Sequence, residues 1–167
     1  MRNILISKPG TKLNKECYPL PWRYDGTCFN FREPDTLVCD NELDTIGDPL
    51  DVQELVIRSD LKDYSFISEM KNLKRLYIYK GKRVKDLCFL EDLVRLRQIL
   101  VAYSKVTSVE SINRLFENKK KASEQGKLNR LDSGMEGIYI HSSREGIKDE
   151  KIDRKGICLG EVILIVS

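Results

Sequence analysis

The sequence has little net charge and no long hydrophobic run. Lys plus Arg total 29 and Asp plus Glu total 26 over 167 residues, so the formal net charge is only +3. This balance does not favour an obligate nucleic-acid binder, although a local basic face stays open. The longest apolar run, Val162 to Val166, is far too short to span a membrane. We therefore expect no membrane partner.

Targeting and redox signals are also scarce. The first eight residues contain only a three-residue apolar stretch, so we expect no signal peptide. The five cysteines are an odd number and include no CxxC pair. Reduced thiols in the cytoplasm are therefore the predicted state.

Residues for catalysis or metal binding are few. His141 is the only histidine, which disfavours a histidine-based triad or a multi-histidine metal site. The sequence contains no GxSxG, P-loop, GxGxxG or HExxH motif. We predict a protein that is not an enzyme and that holds no cofactor and no metal ion. The competing enzyme hypothesis places a site in the amino-terminal region or in an insertion, or uses Cys88 with a base.

The feature that is present is an internal repeat of about 22 residues. Three strand-like motifs follow one another: Val52-x-x-Leu55-x-Ile57, Leu73-x-x-Leu76-x-Ile78 and Leu96-x-x-Ile99-x-Val101. Between the strands, apolar residues recur at every third position: Ile67, Met70 and Leu73 in one unit, and Leu90, Leu93 and Leu96 in the next. Each unit thus changes from a strand period to a short helical period. One unit cannot bury its apolar residues alone, whereas stacked units share a core.

These residues resemble the leucine-rich repeat family, in particular its short bacterial internalin-like class. The stretch from Val84 to Leu96 fits the consensus IxDIxxLxxLxxL of that class almost position for position. The resemblance is strong from Val52 to Leu115. It implies an α/β fold: a short solenoid with a parallel concave sheet and α or 3-10 segments on the convex side. The usual Asn after each strand is replaced by Asp60, Gly81, Ser104 and Ser143, so we expect a less regular solenoid.

The remaining segments define the predicted organisation. Two further strand motifs begin at Met135 and Leu159, and an insertion near residues 116–134 separates the first of them from the third repeat. Residues 1–51 show no repeat and are predicted to form an irregular amino-terminal cap, followed by the repeat region over 52–167. We expect one cooperative domain. Asp63 and Asp86, at the junction between strand and helix, are predicted helix caps.

Strand alternation places three lateral rows of side chains on the concave face. The rows are Val56, Tyr77, Leu100, Tyr139 and Ile163; Arg58, Tyr79, Ala102, His141 and Ile165; and Glu54, Arg75, Gln98, Gly137 and Glu161. The first row is wholly apolar or aromatic although the pattern places it towards solvent, and such a patch marks a contact site. The predicted partner-binding residues are Val56, Arg58, Arg75, Tyr77, Tyr79, Leu100, Tyr139 and His141.

The leading functional hypothesis is a scaffold or inhibitor that binds a protein partner through this face. A bacterial immunity protein that neutralises a toxin is one such role, although no residue identifies it. Three alternatives stay open. The row is covered internally and only stabilises the sheet, a second copy of the chain covers it, or the basic cluster at Lys119–Lys121, Lys127 and Arg130 contacts nucleic acid. The default expectation for that cluster is a solvated loop.

Overall fold

The computed structural model describes residues 1–11, 22–24, 27–29, 33–142 and 159–166, and its strands form one large parallel sheet. The strands are β1 (Arg2–Ser7), β2 (Trp22–Tyr24), β3 (Thr27–Phe29), β4 (Thr36–Cys39), β5 (Val52–Ile57), β6 (Arg75–Ile78), β7 (Gln98–Ser104), β8 (Met135–Ser142) and β9 (Leu159–Val166). The described α-helix is α1 (Glu110–Glu124), and 3-10 segments cover Leu43–Ile46, Pro49–Asp51, Ser65–Glu69 and Cys88–Leu90. This is an α/β architecture, which confirms the α/β part of the predicted fold class.

The seven-stranded sheet has the order β4-β1-β5-β6-β7-β8-β9, and all its neighbouring strands are parallel. From β5 to β9 the spatial order follows the chain order. The amino-terminal region was expected to be irregular, but it contributes two regular strands, β1 and β4, to the same sheet, because their apolar side chains are buried there. It also supplies the antiparallel hairpin β2–β3, whose second strand lies close to β8.

The connections after β5 and β6 explain the period of three. In the first connection, the amide of Met70 donates to the carbonyl of Ile67 (2.9 Å), and the amide of Leu73 donates to that of Met70 (2.9 Å). The second connection repeats the pattern from Leu87 to Leu96 in three bonds of 3.0 Å each. Because 3-10 geometry aligns residues three apart, these side chains all face the sheet, where they are buried. Of the two alternatives expected here, α or 3-10 segments, the structure has the 3-10 form.

Two of the residues at the positions where the leucine-rich repeat consensus has Asn form hydrogen bonds in the turns after the strands. The Ser104 hydroxyl donates to the carbonyl of His141 (2.9 Å) and accepts from the amide of Val106 (3.3 Å). Gly81 donates its amide to the carbonyl of Ala102 (2.9 Å), and a Cβ on Gly81 would lie 3.1 Å from that oxygen. Glycine therefore permits a close approach of two backbones. Ser143 lies outside the described residues.

The third connection contains the longer helix α1. Its buried side chains include Ile112, Leu115, Phe116, Lys119 and Ala122, which form one stripe at helical spacing against the sheet. Within the described part of the chain, no helix is both long and apolar enough to cross a membrane.

Lys119 is fully buried, which corrects the expectation that the whole basic cluster forms a solvated loop. Its ammonium donates to the carbonyls of Val94 (2.6 Å), Leu96 (2.6 Å) and Asp132 (2.8 Å). The side chain thus joins α1 to the segment before β7 and to the segment that leads to β8. The physical reason is its position: Lys119 falls on the apolar stripe of α1, where only internal carbonyls can accept its protons.

Below pH 7, where the Lys119 ammonium has one proton for each of the three carbonyls, substitution of Lys119 by Met should lower the free energy of unfolding by about 3 kcal/mol. Lys120→Met, which changes the exposed neighbouring lysine, should change it by less than about 0.5 kcal/mol. Urea denaturation followed by circular dichroism measures both. Equal losses of unfolding free energy in the two variants would contradict a stabilising role for the buried hydrogen bonds of Lys119.

The same lysine should make stability depend on pH. Burial lowers the pKa of Lys119 to about 7 from 10.5, while the Asp132 carboxylate raises it in part and Arg97 lowers it further. Between these two values the unfolded chain binds the additional proton, so the free energy of unfolding rises with pH. We expect the stability of the wild type relative to Lys119→Met to increase from pH 7 to pH 9, by up to about 1.4 kcal/mol per pH unit. A stability difference between the wild type and Lys119→Met that stays constant from pH 7 to pH 9 would contradict the lowered pKa of Lys119.

Candidate functional site

The lateral rows of the sheet have the predicted register. Val56, Tyr77, Leu100, Tyr139 and Ile163 are opposite one another on successive strands. The row continues through Leu5 on β1 to Leu37 on β4. The row from Glu54 to Glu161 is also in register, and His141 is opposite Ile165. Arg58 and Tyr79 lie just beyond the ends of β5 and β6.

The expectation that the first row faces solvent is wrong for two of its members. Val56 is 2% exposed and Leu100 is 3% exposed, and both belong to a small apolar cluster with Leu5. Tyr77 and Tyr139 are half-buried and pack against this cluster. Since both rings flank Leu100 from the neighbouring strands, they shield it from water. Val56 and Leu100 are therefore sheet-packing residues in this structure.

Tyrosines gather at the carboxyl ends of β6, β7 and β8, around a cavity of about 200 Å³. We call this the tyrosine cleft; its lining residues are Tyr77, Tyr79, Leu100, Ala102, Tyr103, Tyr139 and His141. Tyr79 and Tyr103 are its exposed members, at 37% and 55%. Five of the eight predicted site residues thus line one cleft.

Tyr103 reaches the cleft through a β-bulge. The pairing of β7 with β8 passes from Val101–Ile140 to Ser104–Ser142, so Ala102 and Tyr103 together face His141 alone. Tyr103 has a φ of 55°, and its amide donates to Nδ1 of His141 (3.1 Å). Strand alternation predicts that Tyr103 points to the same buried side as Val101, and for this reason sequence reasoning missed it. The one indication in the sequence was that Tyr103, a large ring with a polar hydroxyl, occupies a position that strand alternation directs to the buried side.

The rings of the cleft contact one another edge to face. The centroids of Tyr77 and Tyr79 are 5.8 Å apart at 77°, and those of Tyr103 and His141 are 5.0 Å apart at 77°. The Arg58 guanidinium carbon lies 5.5 Å from the centroid of the Tyr79 ring, in cation–π geometry. Burial raises the pKa of Tyr77, and the neighbouring Tyr79 raises it further. The Tyr77 hydroxyl therefore stays protonated at physiological pH.

The chemistry of the cleft suits binding. Among the described residues that line it there is no carboxylate, no thiol and no lysine. Nδ1 of His141 accepts from the Tyr103 amide, which leaves Nε2 as the ring nitrogen that faces a bound group. The other polar side chains of the lining are tyrosine hydroxyls, which form hydrogen bonds beside large apolar rings. The lining therefore provides ring contacts and neutral hydrogen bonds for a bound group.

The structure separates Arg75 from the cleft. Arg75 is the first residue of β6, and its guanidinium binds the Glu54 carboxylate at 2.8 Å. Glu54 is 1% exposed. Arg75 also lies 4.0 Å from Glu136, which forms a close ion pair with Arg97. This predicted anchor therefore belongs to a largely buried charge ladder at the amino ends of the strands.

A second, more open groove of about 510 Å³ lies beside the 3-10 segments and includes Asp63, Asp86 and Cys88 in its lining. Asp63 accepts from the amide (2.9 Å) and the hydroxyl (2.8 Å) of Ser65, and Asp86 accepts from the amide of Cys88 (3.0 Å). The prediction that Asp63 and Asp86 are helix caps is wrong, because the N-cap positions of these 3-10 segments are Tyr64 and Leu87, which form no side-chain cap bond. Each aspartate instead bonds the amide two residues ahead in an Asx turn, and the Ser65 amide lowers the pKa of Asp63.

Cys88 is the thiol that the enzyme hypothesis named. Its hydrogen bond with Asp86 raises the pKa of Cys88, which keeps the thiol protonated and weakens it as a nucleophile. Over the described ranges, no group of three or more His, Cys, Asp or Glu side chains is placed to hold a metal ion.

Comparison with known proteins supplies no relative. No family model matches the chain, and no curated protein and no solved structure matches it. The assignment to the leucine-rich repeat family stays a prediction from the repeat.

Substitution of Arg75 by Leu should lower the free energy of unfolding by about 3 kcal/mol, because the buried Glu54 carboxylate loses its cation. The double variant Glu54→Gln/Arg75→Leu should recover much of this loss, since no buried charge then remains at the pair. Arg83→Leu breaks an exposed ion pair with Asp60 (3.6 Å) and should cost less than about 1 kcal/mol. Urea denaturation compares the three variants. A loss for Arg75→Leu no larger than that for Arg83→Leu would contradict the buried-pair interpretation.

Proposed function

We propose that this chain is a small protein of the leucine-rich repeat type that binds a protein partner through the tyrosine cleft. It acts by contact: it occludes a surface of the partner or holds it in place. It catalyses no reaction. An inhibitor, such as an immunity protein that neutralises a bacterial toxin, would work in this way. The cytoplasm is the proposed location, which the free thiols of Cys39 and Cys88 support.

The observation that carries the proposal is the convergence of four tyrosines at one end of the sheet. Tyr77 and Tyr139 come from the predicted apolar row, Tyr79 follows β6, and the bulge in β7 adds Tyr103. Tyrosine gives a large contact area with little loss of side-chain entropy, and it is enriched among the residues that dominate binding energy. The exposed rings of Tyr79 and Tyr103 are available for contact, while the half-buried pair supports them.

Repetition of backbone contacts supports the solenoid part of the proposal. The amide of Lys74 donates to the carbonyl of Gln53 (2.8 Å), that of Arg97 donates to Lys74 (2.8 Å), and that of Glu136 donates to Arg97 (2.7 Å). Each bond joins a residue within one position of the start of a strand to the equivalent residue of the preceding unit. Together with the chain order from β5 to β9, this is the arrangement expected of stacked coils.

The nucleic-acid alternative loses support from the position of Lys119. That alternative requires a cluster of exposed cations, whereas the ammonium of Lys119 is bound to three internal carbonyls. Lys120, Lys121, Lys127 and Arg130 remain exposed. These four cations lie in or beyond the last turns of α1 and include no aromatic side chain among them, so base stacking has no platform there.

The test is affinity capture from a lysate of the source cells with the wild type and a Tyr79→Ala/Tyr103→Asn variant. Asn is chosen at position 103 because it tolerates a positive φ. The matched control is Leu131→Ala, which removes an exposed apolar side chain beyond α1. Thermal unfolding followed by circular dichroism verifies that all three proteins fold.

We expect the wild type and Leu131→Ala to capture the same proteins from the lysate. The double variant should recover those proteins at about one tenth of that level or less. Equal recovery by the double variant would contradict binding at the cleft. Sedimentation of the purified proteins tests the homodimer: self-association that only the cleft variant loses would identify a second copy as the partner.

A further inference from the structure

Charge is distributed unevenly between the two ends of β5, β6 and β7. The segments 58–63, 79–86 and 102–107, at and beyond the carboxyl ends of β5, β6 and β7, carry seven basic and three acidic side chains. We call these segments the carboxyl rim. The segments 48–51, 69–74 and 91–97, which precede the same strands, carry four basic and five acidic side chains. The carboxyl rim is therefore more positive than the chain as a whole, whose net charge is +3.

The acidic side chains of the rim are already engaged. Asp60 lies 3.6 Å from Arg83, and the carboxylates of Asp63 and Asp86 accept from backbone amides of their own turns. Lys80 and Lys82 are exposed, and within the described part of the chain neither lies within ion-pair distance of a carboxylate. The rim thus presents cations that its own carboxylates do not neutralise.

The carboxyl rim overlaps the tyrosine cleft, because Tyr79, Ala102 and Tyr103 belong to both. Lys80 follows Tyr79 in the chain, and Arg58 lies over the Tyr79 ring. An aromatic centre with a charged border is the common layout of a protein interface, and opposite charge on the partner accelerates and orients association. The surface that complements this layout has an apolar or aromatic side chain surrounded by carboxylates.

We propose that the partner of the tyrosine cleft is an acidic protein, whose Asp or Glu side chains meet the carboxyl rim at Lys80 and Lys82 while an apolar or aromatic side chain contacts Tyr79 and Tyr103. This inference rests on the proposed function and adds the chemistry of the partner.

The ring geometry favours a protein over a nucleic acid at this place. Stacking of successive bases requires open aromatic faces. In the cleft, Tyr77 meets Tyr79 edge to face, Tyr103 meets His141 in the same way, and Arg58 occupies one face of Tyr79. Tyrosine edges and hydroxyls beside lysines suit carboxylates and backbone groups of a polypeptide.

The experiment measures binding of defined polymers to the full chain by fluorescence anisotropy. The probes are a random glutamate–tyrosine copolymer, a lysine–tyrosine copolymer and a uridine oligonucleotide. The variants are Lys80→Glu/Lys82→Glu, the matched Lys120→Glu/Lys121→Glu, and Tyr79→Ala/Tyr103→Asn. The two charge-reversal pairs change the net charge by the same amount and alter exposed lysines only, so any difference between them reports position.

We expect the wild type to bind the glutamate–tyrosine copolymer, more weakly as ionic strength rises. Lys80→Glu/Lys82→Glu should reduce affinity about tenfold or more, and Lys120→Glu/Lys121→Glu should change it less than about twofold. No binding of the acidic copolymer, tighter binding of either other probe, or equal losses in the two charge-reversal variants would each overturn the proposal.

Failure of this inference is distinguishable from failure of the proposed function. If capture of lysate proteins depends on Tyr79 and Tyr103 but the acidic copolymer does not bind, the cleft is a binding site and its partner is not acidic. If binding of the acidic copolymer depends on Lys80 and Lys82 but not on Tyr79 and Tyr103, the carboxyl rim binds acidic polypeptide and the cleft does not take part.

Discussion

No unit of this chain can bury its apolar side chains alone, and every other feature depends on that constraint. Each strand from β5 to β8 forms backbone hydrogen bonds on both sides, and its inward side chains pack against 3-10 turns or α1. The parallel register aligns equivalent residues of successive units across the sheet. A side chain that recurs at one repeat position therefore becomes a continuous row. The apolar row and the charge ladder are both consequences of this alignment.

The tyrosine cleft exists because one strand departs from that regularity. A perfect pairing of β7 with β8 would direct Tyr103 to the buried side. The bulge inserts one residue, Tyr103 adopts a positive φ, and its ring turns to His141. Two hydrogen bonds stabilise the bulge: the Tyr103 amide donates to Nδ1 of His141, and the Ser104 hydroxyl donates to the carbonyl of His141. Bulges commonly redirect side chains in this way next to functional sites.

The insertion is held by another local departure. Helix α1 is longer than the preceding turns, and its apolar stripe includes a lysine. Lys119 donates to carbonyls of the two segments that precede β7 and β8, and the same bonds satisfy the protons of its ammonium. A buried polar group of this kind is stable only when all its partners are present. The helix and both segments are therefore expected to form together.

Much of the architecture follows from the order of residues alone. The spacing of Leu55, Leu76 and Ile99 and the three-residue period between strands determine the strands, their register and the 3-10 turns, because local periodicity directly specifies which side chains share a face. The burial of Val56 and Leu100, the position of Tyr103 and the partners of Lys119 are decided only by the tertiary structure. Each of them depends on contacts between units far apart in the chain: the rings that flank Leu100, the one-residue offset between β7 and β8, and three carbonyls that converge on one ammonium. A pattern within one segment carries no information about these contacts, since their geometry arises only when the strands pair.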